Sequence, residues 1–393
     1  MKTSIKKMTK TTLMMLAAMV PATAASAADD TLKIYLMIGQ SNMVGQAPAF
    51  QEGDDLWAEA GPTGLTSIEY LLNNATYRNG LDANVFSSLS NISTNWLSPR
   101  DDAWAVHYDS SNGSRFNVQT EDGLSSEVDF TSDPRTLRPG FGTPQQLGIT
   151  RNGVFNYHRV SMFGPELAMG HNLGNAMQSP VFLFKSDRGG TDLAVNWRPP
   201  SSGGDTGANY TNTVTQFNAI LASLDADLQD NGVLDDYGNA TGYEVAGLVW
   251  MQGWNTASGS QAVYTTEEKI AQYADNLVNL VSDLRADTGQ AGLPAIIVES
   301  ADANDDLNLQ RQAAVDTLNN EIPGSAAFVE TGDIQAITQH YHYGGRAEAY
   351  IEIGWRIGDA VIDNGYTGSE VVPEPASLTL MGVGGLLVLR RRR

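Results

Sequence analysis

The stretch "IYLMIGQSNMVG", Ile34 to Gly45, decides the fold. Five apolar or aromatic positions run without a charge into Gly39-Gln40-Ser41-Asn42, so a strand with both faces buried ends in a small polar turn near the start of the chain. A serine at such an end can be a helix cap, a turn residue or a nucleophile, and the rest of the sequence has to choose. Four more strand-like runs follow, at 181–185, 245–251, 295–298 and 326–329. Helical periodicity fits 165–177, 210–228, 266–287, 307–320 and 347–361. Strands spaced by helices predict an α/β fold, a mostly parallel sheet covered on both faces, with any ligand at the carboxyl ends of the strands. The stretch 47–160 reads as a long insertion after the first strand, rich in Ser, Asn, Asp and Gly, of irregular or small-sheet structure.

The two ends read as addresses. "MKTSIKKMTKTTLMMLAAMVPATAASA" has four lysines, an apolar run and Ala25-Ser26-Ala27, the order of a secretory signal with an A-x-A site. Residues 1–27 are therefore expected to be removed by signal peptidase. At the other end "VPEPASLTLMGVGGLLVLRRRR" sets a Pro-Glu-Pro triplet before a short apolar run and four arginines. This resembles the PEP-CTERM sorting signal, and the resemblance implies exosortase as a processing partner and a secreted or cell-surface destination in a Gram-negative envelope or exopolysaccharide matrix. The expected organisation is a signal peptide at 1–27, one folded domain at 28–366 containing the insertion, a spacer at 367–372 and the sorting signal at 373–393.

The chain carries 24 Lys+Arg against 45 Asp+Glu, a net charge of −21, and loss of the two basic ends makes the body more negative still. Such a surface repels phosphate backbones and anionic lipid, which argues against nucleic-acid and membrane-surface partners. There is no cysteine, so disulfides, thiolate metal sites and a cysteine nucleophile are all excluded. No HExxH or clustered-histidine metal motif occurs, and no cofactor-binding glycine pattern opens a helix, so no cofactor and no metal are expected. The acidic stretch 225–239 lacks the bidentate glutamate of a calcium loop, Gly238 standing in its place, and reads as a solvated loop.

Four glycine-containing polar blocks fall at or beyond predicted strand ends: "GQSNM" (39–43), "KSDRGGTDLAVNWRPPSSGG" (185–204), "WMQGWN" (250–255) and "HYHYGG" (340–345). Packing alone gives no reason for them to converge on one sheet edge. With "FGPELAMG" (163–170), they resemble, in content and order, the SGNH-type carbohydrate esterases grouped as sialate O-acetylesterase-like proteins, close to carbohydrate esterase family six. The resemblance implies a three-layer α/β/α, flavodoxin-like fold and removal of O-acetyl groups from acetylated carbohydrate. It implies Ser41 as nucleophile and His342 as base, with His340 the competitor two residues away. It also implies oxyanion or substrate contacts at Gly164 or Gly189 and Gly190, and at Gln252, with Gln40 and Asn255 beside them.

The third member departs from the pattern. Where relatives often place an aspartate three residues before the histidine, this chain has Gln339; Asp333 and Glu330 are the nearest upstream carboxylates, and a Ser-His dyad is the alternative. Thr256 replaces an acidic residue frequent in relatives. Arg198 is expected to pair with acidic neighbours rather than a substrate carboxylate. Two rival functions fit the same fold: a catalytically silent carbohydrate-binding or matrix protein, and a lipase-like esterase for long acyl chains.

Overall fold

The computed structural model describes residues 31–48, 66–115, 135–142, 145–151, 154–160, 162–258, 263–301 and 304–368. The signal peptide and the sorting signal lie outside the described residues.

The first strand, β1 (Thr31–Gly39), runs into a single-turn helix, α1 (Ser41–Val44). The stretch after it yields β2 (Ala103–Asp109), followed by α2 (Pro165–Ala176), β3 (Val181–Asp187), α3 (Ala208–Asn231) and β4 (Gly242–Met251). Then come α4 (Tyr273–Asp287), β5 (Ala295–Val298), α5 (Asp305–Glu321), β6 (Ala326–Val329), α6 (Gly332–Thr338) and α7 (Ala347–Asp363). Six strands form one parallel sheet in the order β6-β5-β4-β1-β3-β2, and two short antiparallel pieces, Ser114–Arg115 and Arg135–Thr136, pair with β2.

Side chains alternate across β1 with the two-residue period of a strand. Leu32, Ile34, Leu36 and Ile38 pack with Phe217 of α3, Leu280 of α4 and Leu318 of α5 on one face. Tyr35 and Met37 pack with Leu167 of α2 and Ile353 and Ile357 of α7 on the other. Both faces are therefore buried, which accounts for the uninterrupted apolar run. Helices α2 and α7 approach closely at Gly354, where a Cβ would stand 2.1 Å from the Pro165 carbonyl oxygen.

Three features differ from the sequence expectation. β2, in the stretch read as irregular or small-sheet insertion, is a sixth parallel strand of the main sheet: Trp104, Val106 and Tyr108 enter the α3 side of the core, and its polar members are buried in pairs, His107 with Asp187 at 2.7 Å. Helix α6 separates β6 from the histidine block, which therefore does not follow the last strand directly. The 225–239 stretch is also not a continuous loop, since α3 runs to Asn231 before ending on left-handed Gly232.

The order of connections places the site. From β1 the chain crosses to one side of the sheet to make β2 and β3, then returns past β1 to make β4. Loops leaving β3 and β4 consequently diverge on either side of β1, opening a crevice at its carboxyl end.

Candidate active site

Ser41 stands at that crevice because β1 ends in a turn only glycine can make. Gly39 has φ +157, and a Cβ there would lie 2.1 Å from the Met251 carbonyl oxygen of β4. Gln40 N–H donates to that same carbonyl at 3.1 Å, and Val44 N–H closes the turn on the Gln40 carbonyl at 2.9 Å. Ser41 is then the first residue of α1, whose leading N–H groups have no intrahelical acceptor. Beneath the turn, fully buried Lys185 of β3 donates to the carbonyls of Val44 (2.7 Å) and Phe141 (2.9 Å) and to Glu166 (2.8 Å). A buried ion pair costs desolvation, and here each of the three ammonium protons has an acceptor.

His342 Nε2 is 2.9 Å from Ser41 Oγ. Its loop is held from below by fully buried Asn42, whose Nδ2 donates to the Tyr341 carbonyl (3.0 Å) and Ser300 Oγ (3.3 Å), while its Oδ1 accepts from Tyr350 OH (3.2 Å). Farther along, Tyr343 OH meets Thr331 Oγ1 at 2.6 Å, and Glu299 Oε2 accepts the N–H groups of Thr331 and Gly332, each at 2.7 Å. These positioning residues were not picked out from the sequence. The signal for Asn42 was present, since a polar side chain inside an apolar-flanked motif must find buried partners.

Burial, and secondarily the charge of His340, lower the His342 pKa from 6.5 to about 4. His340 is exposed, and its Nδ1 accepts the His342 backbone N–H at 3.2 Å rather than the serine hydroxyl. Asp333, expected beside the histidine, instead forms a two-point ion pair with Arg356 of α7, at 2.8 and 2.7 Å. Burial alone would raise the Asp333 carboxyl pKa, but the Arg356 hydrogen bonds and charge outweigh it and leave it lowered. The reason for the misplacement is local: Asp333 sits in the first turn of α6, which aims it at α7 rather than at the 340–343 loop. Glu330 is exposed and offers Arg356 only its carbonyl, and Gln339 is exposed in a left-handed turn. Among the described residues no carboxylate hydrogen-bonds His342 Nδ1.

Gly189 borders the serine closely, a Cβ there standing 3.6 Å from Ser41 Cβ. The backbone N–H groups of Ser41 and Gly189 make no hydrogen bond among the described residues. Gly164 does not join them, because its N–H is taken by Glu166 at 2.9 Å and the glycine serves close contact with Gly45 behind the turn. Gln252 is likewise not presented to the crevice. It is fully buried: its amide nitrogen donates to the Thr191 carbonyl (3.0 Å) and Thr256 Oγ1 (3.1 Å), while its backbone carbonyl accepts from Tyr273 OH and Arg311. Gln40, with its amide turned to suit its neighbours, donates to the Thr191 carbonyl at 2.9 Å and accepts from Trp254 N–H at 3.0 Å. Asn255 Nδ2 donates to the Gly190 carbonyl at 2.6 Å, tying the loop after β4 to the loop after β3.

Among the described residues Arg198 pairs with no acid. It gathers the carbonyls of Ala194, Ser202 and Gly203 and the Gln272 side chain, fixing the Pro-Pro-Ser-Ser-Gly-Gly rim away from the serine. The remaining buried histidine, His171, stacks on Trp96 at 4.2 Å, outside the crevice. Among the described residues no group of three or more His, Cys, Asp or Glu could hold a metal ion.

The crevice is a cleft of about 500 Å³ lined by Gln40, Ser41, Val44, Gln46, Arg188, Gly189, Gly190, Trp254, Asn255, Tyr341 and His342. A parallel α/β/α sheet whose carboxyl edge carries a serine–histidine contact beside unpaired N–H donors is the arrangement of a hydrolase. Residues 144–363 match the model of the carbohydrate esterase, sialic acid-specific acetylesterase family, and the chain belongs to that family. Residues 371–393 match the PEP-CTERM protein-sorting motif, a signal for export and surface sorting. No curated protein matches the sequence. Among solved structures, the chain is similar to a protein from Arabidopsis thaliana (15% identity, TM-score 0.47, covering 84% of this chain and 98% of that one). It is also similar to NanS (12%, 0.40, 78% and 79%) and to a carbohydrate acetylesterase from Xanthomonas citri (14%, 0.41, 87% and 58%).

Proposed function

We propose that this acetylesterase-family chain is an exported carbohydrate O-acetylesterase working through a Ser41–His342 dyad. Ser41 Oγ attacks the acetyl carbonyl while His342 Nε2 takes its proton. The resulting oxyanion is received by the N–H groups of Ser41 and Gly189, donors in place before the reaction. His342 returns the proton to the departing sugar oxygen, leaving an acetyl-serine. Water, deprotonated by the same nitrogen, attacks the acetyl carbon, and acetate leaves as Ser41 regains its proton. Gly190 and Asn255 frame the acyl side of this path, and no metal or cofactor enters it.

The observation that carries the reading is the 2.9 Å contact between Ser41 Oγ and His342 Nε2 at the switch point of the sheet. The cleft walls combine amide and hydroxyl groups with the Trp254 and Tyr341 rings, a mixture that suits a sugar, and in a chain with 45 acidic residues none of the described lining side chains is acidic. We further read residues 1–27 as the leader, 28–366 as the catalytic domain and the tail from 373 as the segment exosortase removes. Among the described residues no helix is long and apolar enough to cross a membrane. The test is acid-quench mass spectrometry during turnover of an acetylated sugar: an acetyl adduct on the Ser41 peptide is expected, absent in Ser41→Ala. Turnover retained in Ser41→Ala removes the reading.

A further inference from the structure

Only four large hydrophobic side chains among the described residues are exposed: Val263, Leu309, Ile337 and Tyr341. Tyr341 is the aromatic one, 38% exposed, and it alone of the four lines the cleft. Aromatic side chains lining a cleft among a few polar groups are the usual contacts of a bound small molecule. The ring is not loose. It lies 4.9 Å from the Trp254 ring at 30°, 4.4 Å from His340 at 26° and 4.1 Å from His342 at 49°, and its own carbonyl is held by Asn42. Trp254 opens a short helix, Trp254–Ser258, soon after β4, and Tyr341 lies in the loop after α6, so two segments that converge on Ser41 bring their aromatic side chains together at its margin.

An aromatic face carries partial negative charge, and the axial C–H bonds of a pyranose ring present partial positive charge on one face. A simple ester has no such face. The amides and N–H groups across the cleft suit the ring's hydroxyl edge, and a stiff ring pair loses little conformational freedom when it is covered. From this we infer that the Trp254–Tyr341 pair is the platform on which the sugar ring of an acetylated pyranoside lies, presenting its ester to Ser41, and that Tyr341 determines preference for sugar esters over ring-free acetyl esters.

This inference rests on the esterase reading, so its test includes an arm that needs no turnover. For Tyr341→Ala and Tyr341→Phe, kcat/KM is measured for an O-acetylated methyl pyranoside and for ethyl acetate. In Tyr341→Ala the ratio of the two should fall about tenfold, through KM for the sugar ester, and in Tyr341→Phe it should stay within about twofold of wild type. Equal losses on both esters would assign Tyr341 to holding His342 and overturn the platform. In the Ser41→Ala background, saturation-transfer NMR with the same acetylated methyl pyranoside should show contact on the ring C–H protons that Tyr341→Ala removes and Tyr341→Phe keeps. If wild type cleaves neither ester while that contact persists, the esterase reading fails and the platform stands. If the contact is unaffected by Tyr341→Ala, the platform is overturned whatever the turnover.

Discussion

The acid limb of the pH profile tests how His342 is held. A base flanked by a carboxylate is stabilised as imidazolium and titrates high; one that is buried without such a partner titrates low. Burial and the His340 charge bring His342 to about 4. At pH 5 a group with that value is roughly 90% neutral, whereas one at the ordinary 6.5 would be roughly 3% neutral. Relative to the plateau near neutrality, kcat/KM at pH 5 should therefore remain at roughly nine-tenths rather than a few hundredths, a difference of about thirtyfold. The assay is release of nitrophenol from 4-nitrophenyl acetate at its isosbestic wavelength, with circular dichroism at each pH to show that the fold persists. His340→Gln removes the second, smaller cause of the shift, so the limb should move upward. A limb near 6.5 in wild type would mean that a negative charge reaches His342 Nδ1, and the dyad would have to be abandoned.

Asp333→Asn should leave kcat/KM within about twofold, because Asp333 serves Arg356; the half-exposed pair is worth no more than about 1 kcal/mol, seen as a small drop in Tm. A hundredfold loss of kcat there would restore Asp333 as a catalytic partner. Ser41→Ala should reduce kcat by at least ~10⁴-fold with Tm nearly unchanged. Asn42→Ala removes the support of the His342 loop and leaves a buried carbonyl and hydroxyl unsatisfied, so a loss of about 1–3 kcal/mol in urea unfolding should accompany a fall in kcat. His171 is lowered to about 3 and His342 to about 4, so below pH 6.5 the unfolded chain binds more protons than the folded one. Stability should fall as pH drops from 6.5 toward 4, by up to about 1.4 kcal/mol per pH unit for each, with His107 acting in the same direction.

What was legible in the sequence follows from where each signal resides. The run Ile34–Ile38 and its four counterparts are strands buried on both faces, so apolar continuity alone located them. Ala103–Asp109 escaped because its histidine and aspartate look like solvent-facing residues until Asp187 and Arg188 from the neighbouring strand end are known to meet them. The blocks after β1, β3 and β4 could be placed at one edge from their order, since a parallel sheet puts all its carboxyl ends together. Partner choice could not be read in the same way. Asp333 was selected by nearness along the chain, yet the first turn of a short helix determines its direction, and Arg356 on α7 competes for it. Gly164 and Gln252 were selected by motif; their hydrogen-bonding groups are consumed inside the scaffold, which only three-dimensional bookkeeping of donors and acceptors reveals.

The position of β1 between β3 and β4 has a consequence for assembly during synthesis. The strand that leads into Ser41 is the first to emerge, but its two neighbours begin at Val181 and Gly242, and the carbonyl that receives the Gln40 N–H belongs to Met251. A nascent chain shorter than about 250 residues has no second wall against which to form the Ser41 turn, and pairing that remote is slow to nucleate. The Ser41 turn thus forms late, after most of the polypeptide is available, so a partly synthesised chain carries the serine without the turn that presents it. Nested truncations ending before and after Met251, probed with a fluorophosphonate that labels activated serines, should show labelling only in the longer set, and only once the histidine loop has followed.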